Sequence, residues 1–415
     1  MREIKDSGVE WIGEIPKDKA LLRNKYSLFF EKGRIPESTN NEGLGRPYIG
    51  ASDLDTNTGY SVYTEDVDIP TARKNDLLVL WDGARAGICG TNLEGAISST
   101  IVKVSGDSTI HKQFLYWYYK GFEWYMLQCV MGTTIPHMSR EYIEQIGIIN
   151  WSSEEQHRIA DYLDAKCAQI DRAIARQQEV IEKLKEYKLS VITEAVTKGL
   201  NPDVPMKDSG IEWIGEIPEH WETYRIAALY REVYEEGNDE LPILSVSINT
   251  GVSDRELEDE EQDRIFVRSD DKSKYKRVQI GDLTYNMMRA WQGAFGAVRV
   301  EGMVSPAYVV ARPHKKEEID SRYIEYLLRT PAAKEEMRRY SHGIADFRLR
   351  LYWAYFKSMK ICFPDALEQE AIADYIDNKS AQIDSIIAQK DGLISKLTEY
   401  KKSLIYEVVT GKREV

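Results

Sequence analysis

Two glycine-rich turns carry the side chains whose chemistry is most suggestive in this chain. Arg85 follows the letters WDGA in the first turn, and Asn286, Arg289, Trp291 and Gln292 occupy the second. A guanidinium can bond O6 and N7 of guanine, and a carboxamide can bond N6 and N7 of adenine. Ordinary hairpin polarity is the alternative, but the recurrence of these residue types at corresponding places favours contacts to DNA bases.

Other polar residues near glycines extend this candidate set. Gly132 and Gly343 are each followed by a segment that carries a basic residue, and Ser99 matches Ser305 in the second half of the chain. The further candidates for DNA binding are Ser99, Thr133, Thr134, His137, Arg140, Arg348 and Arg350.

Signatures of catalytic sites are missing from the sequence. It contains no GxxxxGK[ST] phosphate loop, no GxSxG elbow, no paired Cys or His metal spacing and no Asn-Pro-Pro-aromatic methyltransferase pocket. Asp365, Glu368 and Glu370 faintly resemble a nuclease carboxylate set, but they lack the following lysine and suit the start of a helix. We therefore expect no catalytic residue, no metal ligand and no bound cofactor.

A long helical segment occurs twice and must position these turns. The copies begin near Glu154 and Leu367 and keep a constant offset, so that Asp171 aligns with Asp384 and Tyr187 with Tyr400. Neither copy contains proline, and apolar residues recur at alternating spacings of four and three, which is the period of a coiled coil.

Apolar rows on the two copies are expected to pair the helices. These residues are Leu163, Ile170, Ile174, Ile181 and Leu184 in the first copy, and Ile376, Ile383, Ile387, Ile394 and Leu397 in the second. Gln177, Lys188, Lys390 and Lys401 interrupt the rows at matching positions and are expected to fix their register. One amphipathic helix on an ordinary domain is the alternative, but a rod of this length favours a spacer between two domains.

The repeat also includes a short segment that precedes each domain. KDSGVEWIGEIP from Lys5 returns as KDSGIEWIGEIP from Lys207, and we interpret both as structural clasps with Trp11 and Trp213 buried. The predicted order is a clasp (1–16), a first domain (17–151), a long helix (152–197), a linker (198–206), a second clasp (207–218), a second domain (219–366) and a second long helix (367–415).

Inside the two domains the similarity is sparse. Residues 75–78 with Gly87 and Gly90 match residues 281–284 with Gly293 and Gly296, and both predict a strand, a glycine turn and a second strand. Further strands are predicted at 47–49, 242–244, 146–149 and 359–363. The aromatic run at 114–119 is expected in the core, with base stacking as the alternative.

Composition limits the class of protein. A chain of 415 residues with 42% apolar residues is globular, and its net charge of −13 argues at first against a nucleic-acid partner. Local charge matters more, because the stretch 268–277 is basic. Four scattered cysteines predict reduced thiols, and the lack of an apolar run of membrane-spanning length predicts a cytoplasmic protein.

The pattern as a whole resembles the specificity subunit of type I restriction-modification enzymes. The resemblance rests on the paired DSGxEWIGEIP segments, the turns around Asp76 and Asp282, and the helix starts EQHRIAD and EQEAIAD. It implies an α/β (α+β) fold in which two target-recognition domains each read half of a split, asymmetric site in double-stranded DNA. It also implies two conserved helices that form an antiparallel coiled coil, separate the domains and dock two methyltransferase subunits.

The same resemblance assigns all catalysis to partner chains. S-adenosylmethionine, ATP and Mg would be held by methyltransferase and restriction/translocase subunits, which methylate adenine and cleave DNA. One departure is local: the second clasp continues with His220-Trp221, as is usual in the family, whereas the first continues with Asp18-Lys19. A coiled-coil adaptor between proteins, and a stand-alone nuclease or methyltransferase, are the alternative functions.

Overall fold

The chain folds into two compact units. The computed structural model describes residues 3–23, 27–54, 60–129, 136–238, 240–257, 274–343 and 349–415. Unit 1 comprises Met1–Gln178 with Lys390–Val415, and unit 2 comprises Glu179–Gln389. The candidates Thr133, Thr134 and Arg348 lie outside the described residues, as does most of the basic stretch 268–277.

Unit 1 is built from short strands and three short helices. Its strands are β1 (Ile4–Asp6), β2 (Glu14–Pro16), β3 (Leu21–Leu22), β4 (Leu28–Lys32), β5 (Arg46–Ile49), β6 (Tyr63–Thr64), β7 (Thr71–Ala72), β8 (Leu77–Leu80), β9 (Cys89–Gly90), β10 (Gly95–Ile97), β11 (Ile101–Gly106) and β12 (Ile148–Ile149). Its helices are α1 (Lys112–Gly121), α2 (Glu123–Gln128) and α3 (Arg140–Ile146), followed by α4 (Ser153–Lys198), which continues into unit 2.

Unit 2 repeats this plan. Its strands are β13 (Met206–Asp208), β14 (Glu216–Pro218), β15 (Glu222–Arg225), β16 (Tyr230–Glu232), β17 (Leu244–Ser247), β18 (Gly251–Glu256), β19 (Lys276–Val278), β20 (Leu283–Asn286), β21 (Phe295–Ala297), β22 (Gly302–Val304), β23 (Tyr308–Pro313) and β24 (Lys360–Phe363). Its helices are α5 (Ile226–Leu229), α6 (Ser321–Leu328), α7 (Pro331–Arg339) and α8 (Trp353–Phe356), followed by α9 (Ala366–Thr410), which continues into unit 1. Short 3₁₀ turns lie at Ala290–Gln292 and Lys316–Glu318.

One four-stranded antiparallel sheet recurs in both units. The strand order is β4-β11-β8-β9 in unit 1 and β16-β23-β20-β21 in unit 2. The strand predicted before each glycine turn is β8 or β20, and all four residues of each are buried. Beside this shared sheet, unit 1 pairs the short strands β5 and β10 in parallel, and unit 2 has a single parallel bridge between Ile243 and Met303.

An aspartate sets the turn before the buried strand in both units. Asp76 accepts a bond from the N–H of Arg73 at 2.9 Å, and Asp282 accepts one from the N–H of Gln279 at 2.9 Å. Both carboxylates are buried, and each also meets a cation, Lys112 for Asp76 and Arg312 for Asp282. These aspartates, which carry much of the sequence resemblance, therefore shape the sheet.

Each predicted clasp is a two-stranded hairpin. β1 pairs with β2 and β13 with β14 in the same register, so that Ile4 faces Pro16 and Met206 faces Pro218. Trp11 and Trp213 are half-buried, which corrects the expectation that they are buried. Ile15 and Ile217, at equivalent positions of the two hairpins, are fully buried.

The long helices run antiparallel within each unit. In unit 1 Lys401 Nζ lies 2.7 Å from Asp171 Oδ1, and in unit 2 Lys188 Nζ lies 2.7 Å from Asp384 Oδ2. The two ion pairs are equivalent in the repeat, and their lysines are two of the predicted interruptions of the apolar rows. All ten predicted pairing residues are buried or half-buried: Leu163, Ile170, Ile174, Ile181, Leu184, Ile376, Ile383, Ile387, Ile394 and Leu397.

A glutamine near the start of each long helix fastens it to the preceding domain. Gln156 Oε1 accepts from the N–H of His111, while its Nε2 donates to the carbonyls of Thr109 and Trp151. Gln369 makes the same three bonds, to Asp320, Glu318 and Pro364. These are the glutamines of the repeated Glu-Gln motif.

The units differ in how they cover the glycine that ends each long helix. Gly199 has φ +76°, and a Cβ there would lie 3.4 Å from Trp221 Cζ2 of the second clasp exit. Gly411 has φ +78°, and a Cβ there would lie 2.8 Å from Trp151 Cη2. Trp151 precedes α4, so unit 1 supplies an indole from a different point of the chain than unit 2 does.

The aromatic run, the last strand of unit 1 and the cysteines were also predicted from the sequence. The aromatic run at 114–119 forms α1, with Phe114, Tyr118 and Tyr119 fully buried in the core. Residue 146 ends α3 instead of beginning a strand, which starts only at Ile148. All four cysteines are free thiols. Among the described helices, none is both long enough and apolar enough to cross a membrane.

Candidate nucleic-acid interface

The glycine turn of unit 1 is held against a second candidate segment. The N–H of Met138 donates to the carbonyl of Trp81 at 2.8 Å, and the N–H of Gly83 donates to the carbonyl of Pro136 at 2.8 Å. This pairing places His137 opposite Asp82. Two segments that are more than fifty residues apart in sequence thus form one surface.

Unit 2 joins the equivalent segments in the same way. The N–H of Leu351 donates to the carbonyl of Met287 at 2.8 Å, beside the turn that carries Arg289. Arg350 in turn pairs through its backbone with His342. The turn and the segment before the last strand therefore meet at corresponding places in both units.

Three candidates of unit 1 are exposed on this surface. Arg85, His137 and Arg140 are exposed, and Ser99 is half-buried. Arg85 donates to the carbonyl of Ala51 at 3.3 Å. Arg140 pairs with Glu144 at 2.6 Å, and its guanidinium lies 4.9 Å from the centre of the Phe30 ring. The exposed guanidiniums are thus oriented by neighbouring groups.

In unit 2 some residues of the turn are exposed, and others are buried and hold the turn in place. Gln292 and Arg350 are exposed, and Arg289 is half-buried and donates from Nε to Gln292 Oε1 at 3.0 Å. Asn286 is only 5% exposed, and its Oδ1 accepts from the N–H of Met288 at 3.0 Å. Its carboxamide shapes the turn, so the structure does not favour the expected contact of Asn286 with a base.

Trp291 also holds this turn in place. It is half-buried and packs against the core, with the Arg338 guanidinium 6.0 Å from its ring centre. Gly293 has φ +106°, and a Cβ there would lie 2.8 Å from Lys334 Cε, so the turn requires glycine. Helix α7, which carries Lys334 and Arg338, therefore backs the turn, and burial lowers the pKa of Lys334.

The sequence interpretation missed aromatic residues beside the basic ones. Tyr352 and Tyr355 are 41% and 44% exposed just after Arg350, and the Tyr355 ring lies 3.9 Å from that of His342. In unit 1 Phe29 is 60% exposed next to Phe30. The signal was available in the letters RLRLYWAYF, because an aromatic run after basic residues suits base or sugar stacking.

The described residues contain no group of three or more His, Cys, Asp or Glu side chains that could hold a metal ion. The side chains gathered at these two surfaces are donors and aromatic rings, which suit recognition of a polar, anionic polymer and its bases.

Known proteins of one class resemble this chain in sequence. Residues 26–186 match the family described as type I restriction modification DNA specificity domain. The MjaVIII specificity subunit of Methanocaldococcus jannaschii is 27% identical over 97% of this chain and 94% of its own length. Over nearly its whole length the chain is therefore similar to type I restriction-modification specificity subunits.

A second relative has the same description. The EcoBI specificity subunit of Escherichia coli is 22% identical to this chain over 85% of this chain and 75% of its own length. The HsdS subunit of Thermoanaerobacter tengcongensis has the same fold, with a TM-score of 0.51 at 14% identity over 96% of this chain and 98% of its own.

A chain solved in a study of the assembly and conformational transition of the type I R-M system is closer in fold, with a TM-score of 0.65 at 13% identity. The match covers 95% of this chain and 98% of that one. This chain thus shares its mixed α/β fold with these two solved structures.

Proposed function

We propose that this specificity subunit reads a bipartite DNA site, with the domain of each unit contacting one half. The observation that carries the proposal is the pair of equivalent surfaces in the two units. Each unit uses the same sheet and the same backbone contact to present a glycine turn beside a second loop segment. The side chains on these surfaces differ, with Arg85, His137 and Arg140 exposed in one unit, and Gln292 and Arg350 exposed beside the half-buried Arg289 in the other.

A common frame with different exposed residues is what recognition of an asymmetric site requires. Backbone and sheet contacts fix where a turn lies, and the side chains on the turn determine which base edge they can bond. Two units with identical side chains would instead favour an inverted repeat. The differences between the two turns therefore support reading two unlike half-sites.

The repeated helix pair supports a second part of the proposal, which concerns partners. Asp171 with Lys401 and Asp384 with Lys188 give each unit the same arrangement of charges on the same pair of helices. A surface that occurs twice suits two copies of one partner. We assign that role to two methyltransferase subunits, and methylation and ATP-dependent cleavage, with their cofactors S-adenosylmethionine, ATP and Mg, to partner chains.

Selection from a library of random duplex DNA tests the reading of two half-sites. The specificity subunit, reconstituted with its methyltransferase subunits, should enrich two short blocks of fixed bases separated by a stretch without preference. Exchanging residues 17–151 for those of a relative should change one block and leave the other unchanged. Enrichment of a single continuous block, or of no sequence at all, would contradict the proposal.

A further inference from the structure

Unit 1 contains a cleft of about 610 Å³. The cleft is bounded by α1, by the start of α4 and by the end of α9, with the segment 89–92 on the remaining side. The lining residues that the argument uses are Asp53, Thr91, Gln113, Tyr116, Trp117 and Asp164.

The wall formed by α1 contains a buried polar side chain that is only half satisfied. Gln113 is 6% exposed, and its Nε2 donates to Asp164 Oδ1 at 2.7 Å. Its Oε1 has no hydrogen-bond partner among the described residues, and neither has Thr91 Oγ1 across the cleft. A buried oxygen without a donor costs roughly 1–3 kcal/mol. A donor brought into the cleft could satisfy it.

The charges around the cleft favour a cation. Lys401 is paired with Asp171 at 2.7 Å, and Lys120 is paired with Glu123 at 2.7 Å. Within the part of the chain that the structure describes, Asp53 and Asp164 accept hydrogen bonds from neutral groups, so their two negative charges are not matched by a cation. The cleft therefore carries excess negative charge.

Two aromatic side chains complete the lining. Trp117 donates from Nε1 to Asp164 Oδ1 at 2.8 Å, and Tyr116 lines the cleft beside it. Burial raises the pKa of Tyr116 far above its usual range, so its hydroxyl stays protonated. Aromatic rings next to carboxylates are typical of sites that hold organic cations.

Unit 2 shows which cation fits the equivalent place. The position of Gln113 corresponds to Arg322, and that of Asp164 to Asp377. Arg322 donates to Asp320 Oδ2 at 2.7 Å, to Asp374 Oδ1 at 2.9 Å and to Asp377 Oδ2 at 3.0 Å. Tyr326, in the position of Trp117, also donates to Asp377. Unit 2 thus supplies a guanidinium from its own chain where unit 1 has a shorter, neutral amide.

We propose that the cleft of unit 1 binds a small organic cation with a guanidinium or amine group, which takes the place that the Arg322 guanidinium holds in unit 2. Asp164 and Asp53 balance its charge, Gln113 Oε1 and Thr91 Oγ1 accept its N–H groups, and Tyr116 and Trp117 flank its carbon chain. None of the candidate DNA-binding residues lines this cleft.

Calorimetric titration of the whole chain with agmatine tests this site. One equivalent should bind at constant ionic strength, with no comparable heat from sodium chloride. Gln113→Arg places a guanidinium in the cleft and should weaken agmatine binding at least tenfold. Gln178→Arg adds the same charge at an exposed position of α4 in unit 1 and should leave binding unchanged.

Two further variants keep the outcome decisive. Asp164→Asn preserves shape but removes the charge, and should also weaken binding at least tenfold. Arg322→Gln should open an equivalent place in unit 2 and raise the number of agmatine molecules bound from one to two. Unchanged binding in both Gln113→Arg and Asp164→Asn, or equal displacement of agmatine by sodium at the same ionic strength, would overturn the proposal.

Discussion

Glu155 and Glu368 occupy the same position at the start of the two long helices but accept hydrogen bonds from different donors. Glu368 accepts from the indole of Trp221 at 2.9 Å, whereas Glu155 accepts from the ammonium of Lys19 at 2.6 Å. Lys19 also lies 4.9 Å from the centre of the Trp151 ring. Lys19, from the segment KDKA after the first clasp, therefore contacts Trp151, and Trp151 occupies in unit 1 the place that Trp221 occupies in unit 2.

This exchange gives unit 1 a pH-dependent contribution to stability. Burial raises the pKa of Glu155, but hydrogen bonds from Lys19 and Ser152 outweigh it and lower the pKa to about 2. Since the folded-state pKa is depressed, the contribution is present above the ordinary glutamate pKa and is lost as pH falls towards 2.

Lys19→Met should therefore destabilise the chain by about 1–2 kcal/mol near neutral pH, and by less near pH 3, where part of the contribution is already lost. Urea unfolding at the two pH values measures the difference. Lys17→Met is the matched control, because Lys17 and Glu3 form an exposed pair that should contribute less than about 0.5 kcal/mol. A loss of stability for Lys19→Met that does not change with pH would contradict the assignment.

A second prediction at this scale concerns base reading. Arg289→Ala or Gln292→Ala should relax preference in one half-site by about 1–3 kcal/mol for each pair of hydrogen bonds to a base that the substitution removes, while the other half-site stays unchanged. Selection of bound sites measures this, and Arg85→Ala is the reciprocal control that should affect the other half. Equal weakening of both halves, or no weakening, would refute the role of the turn.

Hydrogen bonds attach the start of each long helix to the domain that precedes it. Gln156 and Gln369 each bind the N-terminal end of a domain helix and the strand that precedes the long helix. A buried glutamine with three hydrogen bonds cannot be replaced by an apolar residue without leaving backbone groups unpaired.

Gln156→Leu should therefore cost roughly 2–4 kcal/mol and loosen α1, while Gln369→Leu should do the same to α6. Hydrogen exchange reports the two helices separately, so each variant is the other's control. Faster exchange in both helices from one substitution would show that the effect is not local. A cost below about 1 kcal/mol would show that the glutamine contributes little to stability.

The sequence predicted the helices well because their pattern is local and repeated. The expected start near Glu154 agrees with Ser153, and the expected start at Leu367 agrees with Ala366. The sheet could not be predicted in the same way, since β8 pairs with both β9 and β11 and the latter pairs with β4, far away in the chain. Residue type alone does not reveal burial, so the sequence could not show that Asn286 is buried in the turn and that Trp291 packs against the core.

Because the chain is an internal repeat, its first half contains the residues that two copies of that half would need to pair with each other. Unit 1 needs the helical segment Lys390–Val415, whose repeat equivalent lies in the last part of α4. In a pair of half-chains, Lys188 of one copy could bond Asp171 of the other, as Lys401 does here. The charges that fix the register are thus available within residues 1–205.

Residues 1–205 should accordingly form a two-fold symmetric dimer that binds an inverted repeat of the first half-site. Light scattering and site selection measure the two outcomes. Thr193 stands where Tyr406 donates to the carbonyl of Ile12 at 2.8 Å, so Thr193→Tyr should tighten the dimer. An obligate monomer, or recovery of the asymmetric site, would contradict this.

The different origins of the indole over Gly199 and Gly411 limit how such chains can exchange specificities by recombination. Trp221 is inherited with the second clasp, but Trp151 is inherited with the far end of the first domain. A crossover between residues 19 and 151 could join a chain that has tryptophan at the clasp exit to one that has it before the long helix. The product would have two indoles, or none, over the glycine at one helix end. New specificities should therefore pass between relatives as one uninterrupted segment, from the exit of the clasp to the first turn of the long helix.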